Sequence, residues 1–423
     1  MRTIAPPCVM RLALLAIAWI SAVGVANAAP TLDDLFADSL VHDVRLSINE
    51  RDLRELRDRY RENVSFPADF EWRGERVRNV GVRSRGLASR SATKLGLRVD
   101  FNRYSTGQRF LGLASLVLDN LVTDPSLVRE RVSMRLFARL GQPAPREAFA
   151  RVFINDVYEG VYAIVEPVDG DFLARVVGQK SGYLFERHFL QPYYGEDLGE
   201  DPAASRTVFE PRTHELHADT VLYSPIRELF HEVNQSVDTV WRERVSRYLD
   251  LQQFVTHVAI ETFLSESDGI LGFAGMANFY LYRVPVHDQH RLIVWDKDRT
   301  FAAIESSILQ RADENRLFSR ALAFSDLRSL YLDVLERCAR LAAVDGWLEG
   351  EIERLAALVD GAAREDRRKP YDDEARVRDV EFLRQFARQR PAFVLQDVAK
   401  TLRRHPKLNA SIEGRTFTGN EEL

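Results

Sequence analysis

Asp296 and Asp298 stand one residue apart, directly after an apolar run that closes with Trp295. Carboxylates so spaced at a strand end can aim oxygen atoms at one point. Hard divalent cations take such ligands, and Mg²⁺ in particular is held by one or two carboxylates together with water or substrate oxygens. Asn278 opens the preceding aromatic run and supplies a further side-chain oxygen; ten residues before it, Asp268 lies on a Ser-Glu-Ser-Asp-Gly loop. These residue types suit the binding of a metal ion and the transfer of a group whose charge that ion neutralises. Each also has a plainer account: Asp296 and Asp298 as turn carboxylates bonded to backbone amides, Asp268 as an ordinary loop aspartate after a helix, and Asn278 as a polar residue at a strand edge.

The elements that must position them follow from periodicity. Asn278–Arg283 and Arg291–Trp295 read as the two strands of a hairpin around the polar turn Pro285–His290. Tyr280 and Tyr282 read as core packing, and His287 and His290 as surface histidines. An amphipathic helix over Leu249–Leu264 delivers Asp268. Earlier, Val41–Ile48 alternates as a strand, Asn49 caps a helix over Arg51–Tyr60, and residues 70–86 read as a hairpin turning near Arg73-Gly74. Lys94 stands at the entrance of the strand Leu95–Phe101, where a solvated strand-end charge is the plainer account. Asp124-Pro125 marks a helix start running to Leu140, with Val128, Val132 and Leu136 facing inward and Glu130 on another side. Strands at Arg151–Asn155 and Val161–Val165 and a helix capped by Asp169 follow. After a long loop at Gln191–Arg212 the chain becomes mostly helical, over Pro225–Val237, Asp313–Leu322, Ser325–Leu341, Val344–Ala362 and Asp373–Val398. The expected fold class is α+β, with a mainly antiparallel β lobe over 41–190 and a mostly helical lobe over 191–402.

The chain has 423 residues, 45% hydrophobic and 29% charged, which is enough for two lobes with real cores. Arg2 and Arg11, the apolar run Leu12–Val25 and the small residues Ala26-Asn27-Ala28 predict an export signal over 1–28, then a linker over 29–40; a polar tail is expected over 403–423. The apolar run is short for a bilayer span, so no stable membrane span is expected in the mature chain. Loss of Cys8 with the signal leaves Cys338, read as a small core residue, and no internal disulfide. Loss of Arg2 and Arg11 moves the formal charge from −5 to −7, against a nucleic-acid partner. There is no Gly-x-Ser-x-Gly elbow, His-Glu-x-x-His or cysteine pair, which disfavours triad hydrolysis and zinc chemistry.

A loop aspartate, then an asparagine, then a strand-terminal aspartate is the order in which protein kinases present the catalytic aspartate and two metal-binding groups. More specifically, the sequence resembles the CotH kinase family, named for spore coat protein H. The resemblance is carried by Arg85-Gly86, Leu118-Asp119-Asn120, Arg129-Glu130, Leu140–Arg146 (LGQPAPR), Asn155–Glu166 (NDVYEGVYAIVE), Asp268, Asn278–Tyr282 and Trp295–Asp298, in order across roughly Val41 to Phe393. Leu87-Ala88 stand where the family usually has Asn-Ser, and Thr93-Lys94-Leu95 where it usually has Lys-Lys-Pro.

The resemblance implies an atypical, secreted, kinase-like fold that transfers phosphate from ATP to protein. It implies Asp268 as the catalytic aspartate, Asp296 as the principal Mg²⁺ ligand, and Asn278 and Asp298 as its supports. Lys94 would hold nucleotide phosphates with Glu130 as its partner, Arg85 would lie on the phosphate-covering turn, and Glu166 would border the adenine. The leading expectation is an exported kinase acting on Ser or Thr of a surface or envelope protein. The alternatives are nucleotidyl transfer or glycan phosphorylation from the same nucleotide, and a non-catalytic envelope or coat assembly protein on a kinase-like scaffold.

Overall fold

The computed structural model describes residues 29–187 and 191–404. The expected export signal and the expected tail beyond residue 404 lie outside the described residues. Period-two burial builds the first half: in β1 (Val41–Ile48), His42, Val44, Leu46 and Ile48 are buried while Asp43 and Ser47 face water. With β2 (Ser65–Trp72), β3 (Glu75–Ser84), β4 (Leu97–Asp100), β5 (Ser115–Asp119), β6 (Glu147–Ile154) and β7 (Val157–Val165), it forms a closed barrel in the order β1-β2-β3-β4-β5-β7-β6. Neighbours are antiparallel except at the closing pair, where β1 runs parallel to β6 with Val44 opposite Val152. Closure leaves no free sheet edge.

Two tight turns fix the register. Arg73-Gly74 and Asn155-Asp156 both have positive φ at both positions, the two-residue geometry whose twist matches that of the flanking strands. Asn155 also pairs with the main chain of Ile48 in both directions, fastening the β6–β7 turn to β1. Inside the barrel Phe70, Trp72, Phe101 and Phe110 meet largely edge to face, contacts worth about 0.5–1.5 kcal/mol each beyond area burial.

The second half is a four-stranded antiparallel sheet covered by helices. It comprises β8 (Tyr183–Arg187), β9 (Phe209–Pro211), β10 (Phe279–Arg283) and β11 (His290–Val294), ordered β11-β10-β8-β9. β8 thus joins the central hairpin although it precedes residue 190. The helix Leu251–Phe263 packs on Ser325–Ala343, which packs on Asp373–Arg404; Cys338 is fully buried there. The α+β class holds. Among the described residues no helix is long and apolar enough to cross a membrane.

Three local expectations are corrected. The helix expected from Asp124 begins at Arg129, because Leu127 adopts a left-handed φ of 68° and breaks the first turn; the Asp124 carboxylate still accepts from the backbone N–H groups of Ser126 and Arg129. His290 is not on the surface: its ring is fully buried and its Nδ1 bonds the Tyr248 carbonyl at 2.7 Å, with burial lowering its pKa to about 3. The expected linker is docked, since Asp38 pairs with Arg135 and Arg354.

Candidate active site

The Asp268 loop and the Asp296 strand end are held by one buried network. On the helix Leu251–Phe263, capped by Asp250, His257 and Glu261 lie one turn apart and share a bond of 3.1 Å. Glu261 also receives the Ile270 N–H at 2.8 Å and the Lys297 ammonium at 2.8 Å. Lys297 is fully buried and donates to the Asn278 carbonyl at 2.9 Å. Between Asp296 and Asp298, therefore, the lysine points inward and ties hairpin to loop. Burial alone would raise Glu261, but Lys297 and His257 hold it down to about 2. Gly269 permits this: a Cβ there would lie 2.5 Å from Glu261 Oε2.

On the other side of this strut the side-chain oxygens gather. Asn278 Nδ2 donates to the Asp268 carbonyl at 2.8 Å and to its Oδ2 at 3.2 Å. Asp298 accepts from Thr123 Oγ1 and lies within electrostatic reach of Asp268, Asp296 and Asp119. Asn278 and Asp296, on the two strands at the open end of the hairpin where Phe279 pairs with Val294, both hold left-handed φ, 58° and 50°. Such backbone costs of order 1–3 kcal/mol per residue and persists where the surroundings fix it, often at functional sites.

Glu130 completes this face. It is 8% exposed, yet among the described residues no hydrogen-bond or ion-pair partner reaches its carboxylate or that of Asp296. Burial, then Glu147 and Asp296, raise the Glu130 pKa well above the usual range; burial, then Asp298 and Asp119, do the same for Asp296. Burial also raises Asp268 and Asp298, opposed by their bonds to Asn278 and Thr123. The nearby cation is Arg85, 3.3 Å from Asp119 Oδ2 and 5.6 Å from the Trp295 ring centre. Asp119, Glu130, Asp296 and Asp298 thus crowd together with Arg85 and Lys297 as the cations that oppose the raised pKa of Asp296. Among the described residues no group of three or more His, Cys, Asp or Glu side chains is placed to hold a metal ion.

Two expected site residues lie elsewhere. Lys94 does not pair with Glu130: its ammonium is fully buried, 2.7 Å from Asp366 Oδ2 and 2.8 Å from the Val161 carbonyl. The loop after the helix Trp347–Glu365 brings Asp366 there, and Gly160 at φ 123° makes room for it, since a Cβ would lie 2.3 Å from Asp366 Oδ2. The Glu166 side chain is equally engaged, by Arg146 at 3.0 Å, by Arg175 and by the Arg146 N–H at 3.0 Å. It braces the end of the barrel.

Asp119, Thr123, Glu261 and Lys297 escaped the sequence reading as site residues. Asp119 carried a signal, an aspartate closing an apolar strand much as Asp296 does. Glu261 carried none, because one glutamate on an amphipathic helix looks like any other.

The family model described as CotH kinase protein matches residues 82–394. The chain is also 24% identical over 359 residues to the inner spore coat protein H of Bacillus subtilis (strain 168), covering 83% of this chain and 95% of that protein.

Proposed function

The chain belongs to the CotH kinase protein family, and from that premise we propose that it is an ATP- and Mg²⁺-dependent phosphotransferase acting on Ser or Thr of a surface or envelope protein. The observation that carries this reading is the unpaired carboxylate face of Glu130 and Asp296 beside the Asn278-bound Asp268. Asp296, with Glu130 and Asp298 near it, would hold the ion; Mg²⁺ when bound neutralises phosphate charge and orients the triphosphate. Asp268 accepts the proton of the attacking hydroxyl, and its raised pKa suits a group that must take a proton. Asn278 fixes the orientation of that carboxylate. Arg85 supplies the cation for the phosphates, the role expected of Lys94. Neither Lys94 nor the Glu166 carboxylate takes part. The rest is positioning, which the Lys297–Glu261 strut provides.

Incubation of the purified protein with γ-labelled or α-labelled ATP tests this. Label is expected on protein from the γ position only, and Asp268→Ala should abolish it. Label from the α position alone would replace the kinase reading by nucleotidyl transfer, and equal labelling by Asp268→Ala would remove Asp268 from the chemistry. The second reading is a coat or envelope assembly protein on a kinase-like scaffold, supported by the relative's name and by the sequestration of Lys94. Export, through the predicted signal over 1–28, belongs to both readings.

A further inference from the structure

The loop carrying Asp268 has a second side. Between residues 265–273 and 302–311 lies a cavity of about 170 Å³, lined among others by Glu266, Ser267, Phe273, Ala303 and Arg311. Its walls are rigidly joined. The buried Arg390 guanidinium donates to the carbonyls of Thr262 and Phe263 on one side and of Ile304 and Ser306 on the other. Ser265 accepts the N–H groups of Ala302 and Ala303. Ala302, Ala303 and Phe273 are exposed, so the cavity opens to water.

Two polar atoms of lining residues are buried without a partner, Glu266 Oε2 and Arg311 Nε. Native proteins rarely leave such atoms unpaired. The other Glu266 oxygen accepts the Asp268 N–H at 2.7 Å, so the cavity wall and the reacting carboxylate share one short segment. Size decides what fits. Sites for drug-sized molecules span roughly 300–1,000 Å³, whereas a cavity of about 150 Å³ holds a single benzene-sized group. A nucleoside is too large; one amino-acid side chain is not. In an extended chain side chains on one face recur every two residues, about 7 Å apart, and the lining residues Glu266 and Ser267 directly precede Asp268 in the chain.

We propose that this cavity seats one side chain of the acceptor polypeptide, close in sequence to the phosphorylated residue, and selects a short polar side chain able both to donate and to accept: Asn, Gln, Ser or Thr. The apolar rim of Phe273 and Ala303 covers its stem, and Arg311 and Glu266 meet its polar end. This inference rests on the phosphotransferase reading above and specifies its acceptor.

The test uses the full chain, γ-labelled ATP, Mg²⁺ and a peptide library with one fixed central serine and randomised flanks. The wild type should favour Asn, Gln, Ser or Thr over Leu or Lys at one flanking position by at least about tenfold. Ala303→Phe, at an exposed position, should raise KM for the best peptide about tenfold or more while KM for Mg²⁺–ATP stays within about twofold. Arg311→Lys keeps the charge, removes the Nε–H, and should flatten the preference. Unchanged preference and KM in both variants would overturn the inference alone. Labelling of polysaccharide but of no peptide would overturn the polypeptide occupant. No transfer to any acceptor would overturn the phosphotransferase reading itself and this proposal with it.

Discussion

Lys94 and Glu130 are both buried ionisable side chains, and their surroundings are opposite. The Lys94 ammonium meets a carboxylate and a carbonyl within 2.8 Å, and the Asp366 carboxylate also takes the N–H groups of Val161, Arg368 and Lys369. Around Glu130 the groups that act on it most strongly are Glu147, Asp296, Asp119 and Asp298, all acidic. A satisfied buried network gains nothing from a ligand and reads as structure; an unsatisfied one with charges of a single sign gains a great deal from a cation. The difference separates the two residues. Lys94 ties the barrel to the loop after the helix Trp347–Glu365, whereas Glu130 sits among other carboxyl groups; in the proposed function the second is where an ion would be held.

The strongest way to break that contrast is at the acidic end. Asp268→Ala should lower kcat by about 10²–10⁴-fold, the range for loss of a general base, with Mg²⁺–ATP binding retained by calorimetry. Asp296→Ala should weaken that binding as well. Retained transfer in either variant would remove the site from this face. At the other end, Lys94→Met should cost about 3–5 kcal/mol in urea unfolding because it strands a buried carboxylate, while leaving nucleotide affinity of the folded protein nearly unchanged. Lys94→Met combined with Asp366→Asn should regain part of that loss, because the neutral amide removes the stranded charge while its oxygen can still accept backbone N–H groups. A lysine variant that loses nucleotide affinity but not stability would invert the comparison. Asn278→Ala, which removes both bonds to Asp268, should lower kcat about tenfold, as loss of a group orienting a reactive one does.

The smallest effect sharpens the contrast through pH. Because the Glu130 and Asp296 pKa values are raised in the folded state, the native protein holds protons that the unfolded chain has released above the ordinary values of 4.5 and 3.8. Stability of the metal-free protein should fall as pH climbs from those values through the folded ones. Mg²⁺ favours the deprotonated form, so the rise in Tm on adding Mg²⁺ should grow between pH 5 and pH 8, by about a few degrees. An equal Mg²⁺ increment at both ends would show that these carboxyls are not where the ion acts.

What could be read from the chain was local. Alternation placed β1, the β2–β3 hairpin and the central hairpin, and Asp169 capped its helix as expected. The order Asp268, Asn278, Asp296, Asp298 located most of the acidic face, because those residues flank one hairpin and the loop before it. What stayed hidden depended on distant partners. Nothing near Lys94 announces Asp366, 272 residues away, and His290, at the end of a polar turn, gives no sign that its ring is buried against the Tyr248 carbonyl. Leu127, a residue with no left-handed preference, broke a helix start that Asp124-Pro125 signals clearly.

The long reach of Asp366 has a consequence for biosynthesis. A ribosome delivers the whole barrel well before the loop that neutralises it, so the nascent β domain carries an uncompensated cation in its wall until the helix Trp347–Glu365 and the loop after it have emerged. Fragments that stop short of that loop, including any made by expressing residues 29–190 alone, should aggregate or be degraded instead of accumulating as an independent module.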